Sequence, residues 1–517
     1  MQGKWWTLIV VCVATFMLLL DITIVNVALP TIAHDLKGSF SDIQWVIDAY
    51  TLTLAALLLT AGTLADLFGR KLIFVLGVGL FAAASLLCGL SPSALFLILA
   101  RGFQGVGGAM MYATALALLA QEFHGRERGT AFGIWGAAIA ASAAVGPLLG
   151  GALTDAFGWS SIFFINVPVG VAVVVLSLMR VRESKDPQGR RIDWIGTTTF
   201  TAALFLLVLA LIEGNSHGWT SPLILALLAA GGGLLVVFVI AELVQRDAMF
   251  DMTLFRKPSF TGASITAFAI AAGLFAMFLY LVLYLQTILG YSPLQTGLRF
   301  LPFTVVSFVA AAVTGRVSYR FPARALLFVG LLLTGIGLLL WRELTPTSSW
   351  TVLLPGFLVG GVGIGMINPV LASVAIGVVP PERSGMAAGI NNTFRQVGTA
   401  AGIAALGAIF ESALTRHLSS QLRGTPGAAH AGQISRAVAA GGAHRVLHAV
   451  PAAARGRASQ AIHVAYTAAL SDILLVGGIV ALVAAVLALI LVRRRDFVTY
   501  SPQEPTAQEP AAVAVSG

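Results

Sequence analysis

Cysteine is nearly missing from this sequence, with two among 517 residues. Cys12 and Cys88 both fall inside apolar runs. That placement argues against a disulfide framework and against a thiolate metal site. Charge is scarce too: Asp, Glu, Lys and Arg form 10% of the chain, against about 25% in an ordinary soluble domain. His430, His444, His448 and His463 lack tight ligand spacing and acidic partners, so neither a metal nor a cofactor is expected. No G-x-x-x-x-G-K-[ST] loop, H-E-x-x-H or G-x-S-x-G motif occurs, which argues against nucleotide-driven work and against an enzyme. Repeated selectivity-filter loops and rings of like charge are also missing, which argues against a channel. Apolar side chains are what remain in plenty. They form 58% of the chain, and the mean hydropathy is +0.90. Such a chain is an all-α integral membrane protein that has the lipid bilayer as its solvent.

A crossing helix needs roughly 20 apolar residues. Fourteen such stretches are expected, near 5–29, 43–64, 71–90, 94–119, 129–153, 160–180, 193–213, 221–244, 260–289, 298–316, 323–342, 350–377, 385–411 and 470–492. The first is too long for the apolar core of a secretory signal, about 7–15 residues, and is read as a retained span. An even count places both termini on one side. Alternate loops hold Lys4; Arg70 and Lys71; Arg126 and Arg128; Arg180, Arg182, Lys185, Arg190 and Arg191; Arg246, Arg256 and Lys257; Arg316, Arg320 and Arg324; Arg383; and Arg493 to Arg495. The short opposite loops offer only Lys37, Arg299 and Arg342. The positive-inside rule then puts both ends in the cytoplasm, with the plasma membrane of a bacterium as the expected location. The same scatter explains the net charge of +9 without nucleic acid as a partner.

Two charged breaks, "RVRESKDPQGRRID" (180–193) and "QRDAMFDMTLFRKPSF" (245–260), suggest a 6 + 2 + 6 organisation. Residues 1–181 form a first six-helix bundle and 182–250 an inserted two-helix linker. Residues 251–497 form a second six-helix bundle, with a long extracytoplasmic loop at 412–469 that holds a short amphipathic helix near 434–450. Residues 498–517 form a disordered tail. A faint echo of "AGTLADLFGRK" (61–71) in "TGRVSYRFPAR" (314–324) agrees with repeated halves, the common design of secondary transporters.

Charges within the spans are costly and mark function by default. Asp21 lies about sixteen residues beyond Trp5, or ~24 Å along a helix, in the outer third of the bilayer core. Asp48 and Arg101 enter their spans from outside and reach a similar depth. Arg101 is expected to pair with Asp21 or with Asp48. An acid held between a nearby cation and an apolar surrounding can exchange protons or attract a cationic cargo. Arg395 lies near mid-depth, where Asn391, Asn392 and Gln396 are available to satisfy its donors. Glu213, Glu242, Asp155 and Glu411 sit at span ends and are read as interfacial. Phe268, Phe275, Phe278, Tyr280, Tyr284, Phe300 and Phe303 crowd the second half, lining a cavity, facing lipid or packing the bundle.

The turn "GTLADLFGRK" places Gly62, Asp66, Gly69, Arg70 and Lys71 between two spans. Its charges can pair across the turn or with a neighbouring helix, and a contact made in one conformer only acts as a latch. In "SAAVGPLLGG" (142–151), Pro147 interrupts the helical ladder, while Gly146, Gly150 and Gly151 permit close helix approach. The spacing G-x-L-x-D-x-x-G-R-K resembles the signature loop of the major facilitator superfamily. "LDITIVNVALP" (20–30), "RGFQGVGGAM" (101–110), "SAAVGPLLGG", "GWSSIFFINVPVG" (158–170) and "NNTFRQVGTAAG" (391–402) resemble motifs of its fourteen-span drug:proton antiporters, the EmrB/QacA type. Ser142 and Ser160 depart from that pattern. The resemblance implies a monomeric multidrug exporter that works by alternating access, with protons and a hydrophobic, cationic or amphipathic molecule as its partners. An exporter of one natural product or siderophore fits the motifs equally well, and an uncoupled facilitator less well.

Overall fold

The computed structural model describes residues 3–37, 40–185, 193–245, 252–380, 383–439 and 443–497. Residues 186–192 and 246–251 of the two charged breaks, and the expected tail at 498–517, lie outside the described residues. Among the described residues the regular elements are all helices. Chemistry dictates this, because a backbone in hydrocarbon must satisfy its own hydrogen bonds. The order is α1 (Gly3–Asp35), α2 (Phe40–Phe68), α3 (Arg70–Gly89), α4 (Ala94–Glu122), α5 (Gly125–Phe157), α6 (Ser161–Phe164), α7 (Asn166–Arg180), α8 (Trp194–His217), α9 (Pro222–Val244), α10 (Pro258–Ile270), α11 (Ala276–Leu283), α12 (Pro293–Val317), α13 (Ala323–Leu340), α14 (Leu354–Gly377), α15 (Ser384–Gln421), α16 (Ala431–Ala439), α17 (Ala443–Ala449) and α18 (Ala452–Leu491).

Turn chemistry sets the helix ends. Ser93, Asp193 and Ser221 each accept a bond from the backbone three residues on, and Ser292 and Gln295 form a reciprocal capping box. Gly158 and Gly218 close α5 and α8 with φ of 82° and 85°, a region open to glycine.

Twelve helices among the described residues are long and apolar enough to cross a membrane. Two other helical stretches sit where spans were expected. One is α5, which opens on Arg126, Glu127 and Arg128. The other runs through α10 and α11 and is interrupted by π-helical turns at Ala271–Phe275 and Tyr284–Ile288. The expected loop at 412–469 is corrected: α15 continues to Gln421, and α18 begins at Ala452. Two short helices, α16 and α17, stand where one was expected. Buried Ala and Leu on α15 and α18 extend the core cluster through Leu414, Leu418 and Ala461, which holds this region in helix.

Within the first half α1 packs on α5, and α4 on both α2 and α3. In the second half α14 packs on α12 and α13, and α18 on α13 and α15. The halves meet along two seams, α5 against α12 and α2 against α15. The helix pair α8–α9 lies over the second seam. Leu52, Ala55, Val208 and Ala400 share one buried cluster there, and Thr60 is hydrogen-bonded to Thr201 at 3.0 Å. The aromatic side chains of the second half mostly pack that bundle. Phe278, Phe300, Phe303, Phe357 and Trp341 form a connected set of ring contacts at 4.9–6.2 Å.

Candidate translocation pathway and its buried charges

Arg101 of α4 and Asp21 of α1 are both 1% exposed, and Arg101 Nη1 donates to Asp21 Oδ2. Arg101 Nη1 also reaches Gln104 Oε1 at 2.6 Å, and its Nε donates to the Val46 carbonyl at 2.9 Å. The guanidinium lies 4.2 Å over the Tyr50 ring. Asp21 Oδ1 accepts from Gln104 Nε2 at 3.0 Å and from Asn166 Nδ2 at 3.1 Å, and Gln104 also donates to Ser85 at 2.7 Å. The α1 carboxylate is thus bonded directly by α4 and α7, while α2 and α3 brace Arg101 and Gln104 around it. Arg101 and Gln104 share a helix face because they are three apart. Asn166 and Ser85 escaped sequence reasoning, since uncharged polar residues inside apolar runs are common.

Asp48 does not join this network: of the two partners expected for Arg101, Asp21 takes it and the pairing with Asp48 is corrected. Val46 presents its carbonyl to Arg101, and two residues further along the helix is a rotation of about 200°. Asp48 is half-buried on the side toward α8, between Trp45 and Leu52, which pack with Leu209, Leu211 and Ile212. Its charged neighbour is Glu213, whose carboxylate bonds to His217 Nδ1 at 2.9 Å. Glu213 thus belongs to a polar group of its own. Glu242, also read as interfacial, is 5% exposed and buried beside Gly196.

Arg395 of α15 is 7% exposed, and its Nη1 donates to Asn368 Oδ1 of α14 at 3.2 Å. Asn391 and Asn392 do not serve it, as was expected of them; they donate to the backbone oxygens of Ala263 and Tyr112. Arg395 Nε is buried without a partner.

The α2–α3 turn joins the two halves. Asp66 Oδ1 accepts from Arg70 Nε at 2.9 Å, and Asp66 Oδ2 accepts from the Met386 backbone N–H at 2.9 Å. Met386 lies in the first turn of α15, where the free N–H groups and the helix dipole favour an anion. Gly69 has φ 127° and makes room for Glu183, whose carboxylate receives the N–H groups of Lys71 and Leu72 at 3.0 Å each. Lys71 Nζ donates to the Leu178 carbonyl at 2.9 Å. Gly62 is buried within α2. The Glu183 contribution was not legible, because a glutamate in a charged loop looks solvated.

The glycine-rich stretch of α5 packs inside its own half. A Cβ at Gly146 would run into Thr23 of α1, and one at Gly150 would stand 2.9 Å from the Ile24 carbonyl oxygen. Gly151 faces open space, contrary to expectation. The helix continues through Pro147, whose side chain lies outside the described residues. Glycines not singled out from sequence make the seam between halves: a Cβ at Gly133 would stand 2.9 Å from the Ala311 carbonyl oxygen and 3.0 Å from Gly315 Cα. Gly146→Leu is expected to cut transport by at least about tenfold by prising α1 from α5, whereas Gly151→Leu should leave it near normal. Uptake measured with both purified variants in vesicles checks the contrast.

A profile of the Major Facilitator Superfamily matches residues 11–403. The multidrug resistance protein Stp of Mycobacterium tuberculosis is 38% identical over 417 residues, covering 80% of this chain and 78% of that protein. The tetracenomycin C resistance and export protein of Streptomyces glaucescens is 33% identical over 508 residues, covering 95% of this chain and 92% of that protein. Among solved structures, the human organic anion transporter MFSD10 superposes with a TM-score of 0.60 over 92% of this chain and 99% of its own, at 15% identity. That last likeness shows the fold alone.

Proposed function

The chain belongs to the major facilitator superfamily, and from that premise we propose that it is a proton-coupled antiporter exporting hydrophobic or amphipathic drugs or antibiotics across a bacterial plasma membrane. It works as a monomer with fourteen spans, α5 and the α10–α11 run included, in a 6 + 2 + 6 order with both termini cytoplasmic. Sequence similarity to proteins named for drug resistance supports export as the direction of transport. The observation that carries the coupling is Asp21, a carboxylate sealed from water and held by Arg101, Gln104 and Asn166. Protonating it releases the ion pair, and the helices it ties together are then free to shift. Because Arg101 already neutralises it, Asp21 does not offer a bare carboxylate to a cationic cargo. Asp66, bonded to the start of α15, holds the α2–α3 end shut in this conformer, and its release opens that end. Asp48 beside Glu213 is a second candidate for proton exchange.

A dedicated exporter of one natural product is the second reading. It is favoured by the relative that aligns along nearly the whole chain, which is named for resistance to and export of a single compound. Both readings are tested in proteoliposomes with an imposed pH gradient and a panel of dyes, antibiotics and metabolites. The expected result is uphill substrate movement that collapses with the gradient. Breadth of the accepted panel separates the two readings. Transport indifferent to the gradient sinks the antiporter assignment in favour of a facilitator.

A further inference from the structure

Two of the buried arginines, Arg101 and Arg395, are not alike. Arg101 has a carboxylate, an amide oxygen, a backbone carbonyl and an aromatic face. Arg395 has one hydrogen bond, to the neutral Asn368. Its Nε is inaccessible and unpartnered, and among the described residues no carboxylate stands within ion-pair distance. An arginine offers five N–H donors in a planar fork and keeps its charge in proteins. Burying such a cation without a counter-ion is expensive, and side chains that serve only the fold are normally paired. Arg395 is about 17 Å into its helix, at 1.5 Å per residue, close to the middle of a ~30 Å hydrocarbon core.

Its surroundings come from both halves. Asn368 belongs to α14, and Gly136 of α5 packs against Asn368 and Pro369, where a Cβ would stand 3.3 Å from Asn368 Cβ. From α4, Tyr112 lies within electrostatic reach of Arg395, and its backbone carbonyl accepts from Asn392 Nδ2 at 3.4 Å. The Tyr112 ring stacks on Trp135 of α5, with centroids 6.3 Å apart and an interplanar angle of 28°. A planar cation with spare donors and a pair of stacked aromatic rings thus sit together where the halves meet, and this conformer closes over them.

From this geometry we infer that the exported compound carries a planar oxyanion, a carboxylate or its vinylogous equivalent, on a flat apolar body, and that Arg395 receives that oxyanion at the seam between the two halves. The unused guanidinium donors match a bidentate acceptor. Tyr112 and Trp135 supply the apolar platform, exposed when the seam parts. This differs from the cationic cargo expected from sequence. It rests on the export reading for its direction of movement, but not for the binding event itself.

The test is binding of pyrenecarboxylate and of its neutral methyl ester to the purified full-length protein in detergent, with no gradient. Wild type is expected to bind the carboxylate at least about tenfold more tightly than the ester. Arg395→Gln should erase that preference, and Arg395→Lys should retain part of it. Asn368→Asp is the decisive companion, because it gives Arg395 an internal counter-ion. It should preserve folding, judged by thermal unfolding, yet lower carboxylate affinity by at least about tenfold. A purely structural arginine predicts undiminished binding in Asn368→Asp. Equal binding of carboxylate and ester by wild type, or unchanged carboxylate binding by Arg395→Gln or Asn368→Asp, overturns the inference. Transport in vesicles is scored separately: binding with the expected pattern but no response to a pH gradient would defeat proton coupling while leaving the anion site standing.

Discussion

Arg101→Met is expected to destabilise the protein by about 3–5 kcal/mol, the usual cost of removing one partner from a buried ion pair. Asp21 would keep Gln104 and Asn166 as donors but lose its counter-charge in a site 1% exposed. Asp21→Asn should destabilise by a similar mechanism from the other side, since it leaves Arg101 buried with only neutral partners. The double variant Asp21→Asn/Arg101→Met removes both charges and should recover most of the loss, because effects at contacting residues do not add. Thermal unfolding in detergent reads the pattern: two low midpoints and one restored. Transport behaves differently. All three variants lack the exchangeable carboxylate or its partner, so gradient-driven uptake should be lost in each, including the restored double variant. Normal pumping by Asp21→Asn would remove Asp21 from the coupling scheme and leave the network as a structural brace.

Gly315→Val should push the two halves apart at the end that holds the α2–α3 turn. A Cβ at Gly315 would stand 2.8 Å from Gly133 Cα and 3.1 Å from Gly133 N, both backbone atoms of the opposite half that cannot step aside. Overpacking of this kind costs roughly 1–3 kcal/mol. Conformers of a two-state transporter differ by only a few kcal/mol, and each 1.4 kcal/mol shifts their ratio about tenfold. The strain is confined to the conformer in which α5 and α12 touch, so the population should move toward the one in which they part. Spin labels at Phe68→Cys and Phe321→Cys, in a background without Cys12 and Cys88, should report a longer distance in Gly315→Val than in its parent. Asp66→Ala, which releases the Met386 N–H, should shift the distance the same way. Unchanged distances in both would mean that neither contact holds this end closed.

The motifs in which charge sits inside an apolar span led directly to the parts of the site that the structure bears on. A lone Asp or Arg in such a run stands out against its surroundings, which is why Asp21, Arg101 and Arg395 were visible. Which of them pair was not visible. Asp21 and Asp48 are equivalent by depth, and only the rotation of α2 about its axis sends Asp48 toward Glu213 while the Val46 carbonyl faces Arg101. Glycines were ambiguous for a related reason. Of the conspicuous glycines, Gly146 and Gly150 pack α5 on α1, whereas the inter-half seam uses Gly129, Gly133 and Gly315, which lie in unremarkable stretches.

Length and hydropathy of the helical runs, the sidedness of the basic loops and the presence of costly charges are properties of residues in order along the chain, and the order alone dictates them. Partner choice is a property of distances between helices, set by how their side chains interlock. Packing therefore decided that Arg101 is fully paired and Arg395 is not. A polypeptide can advertise a buried charge by its neighbours in sequence, but only its neighbours in space can leave that charge unanswered.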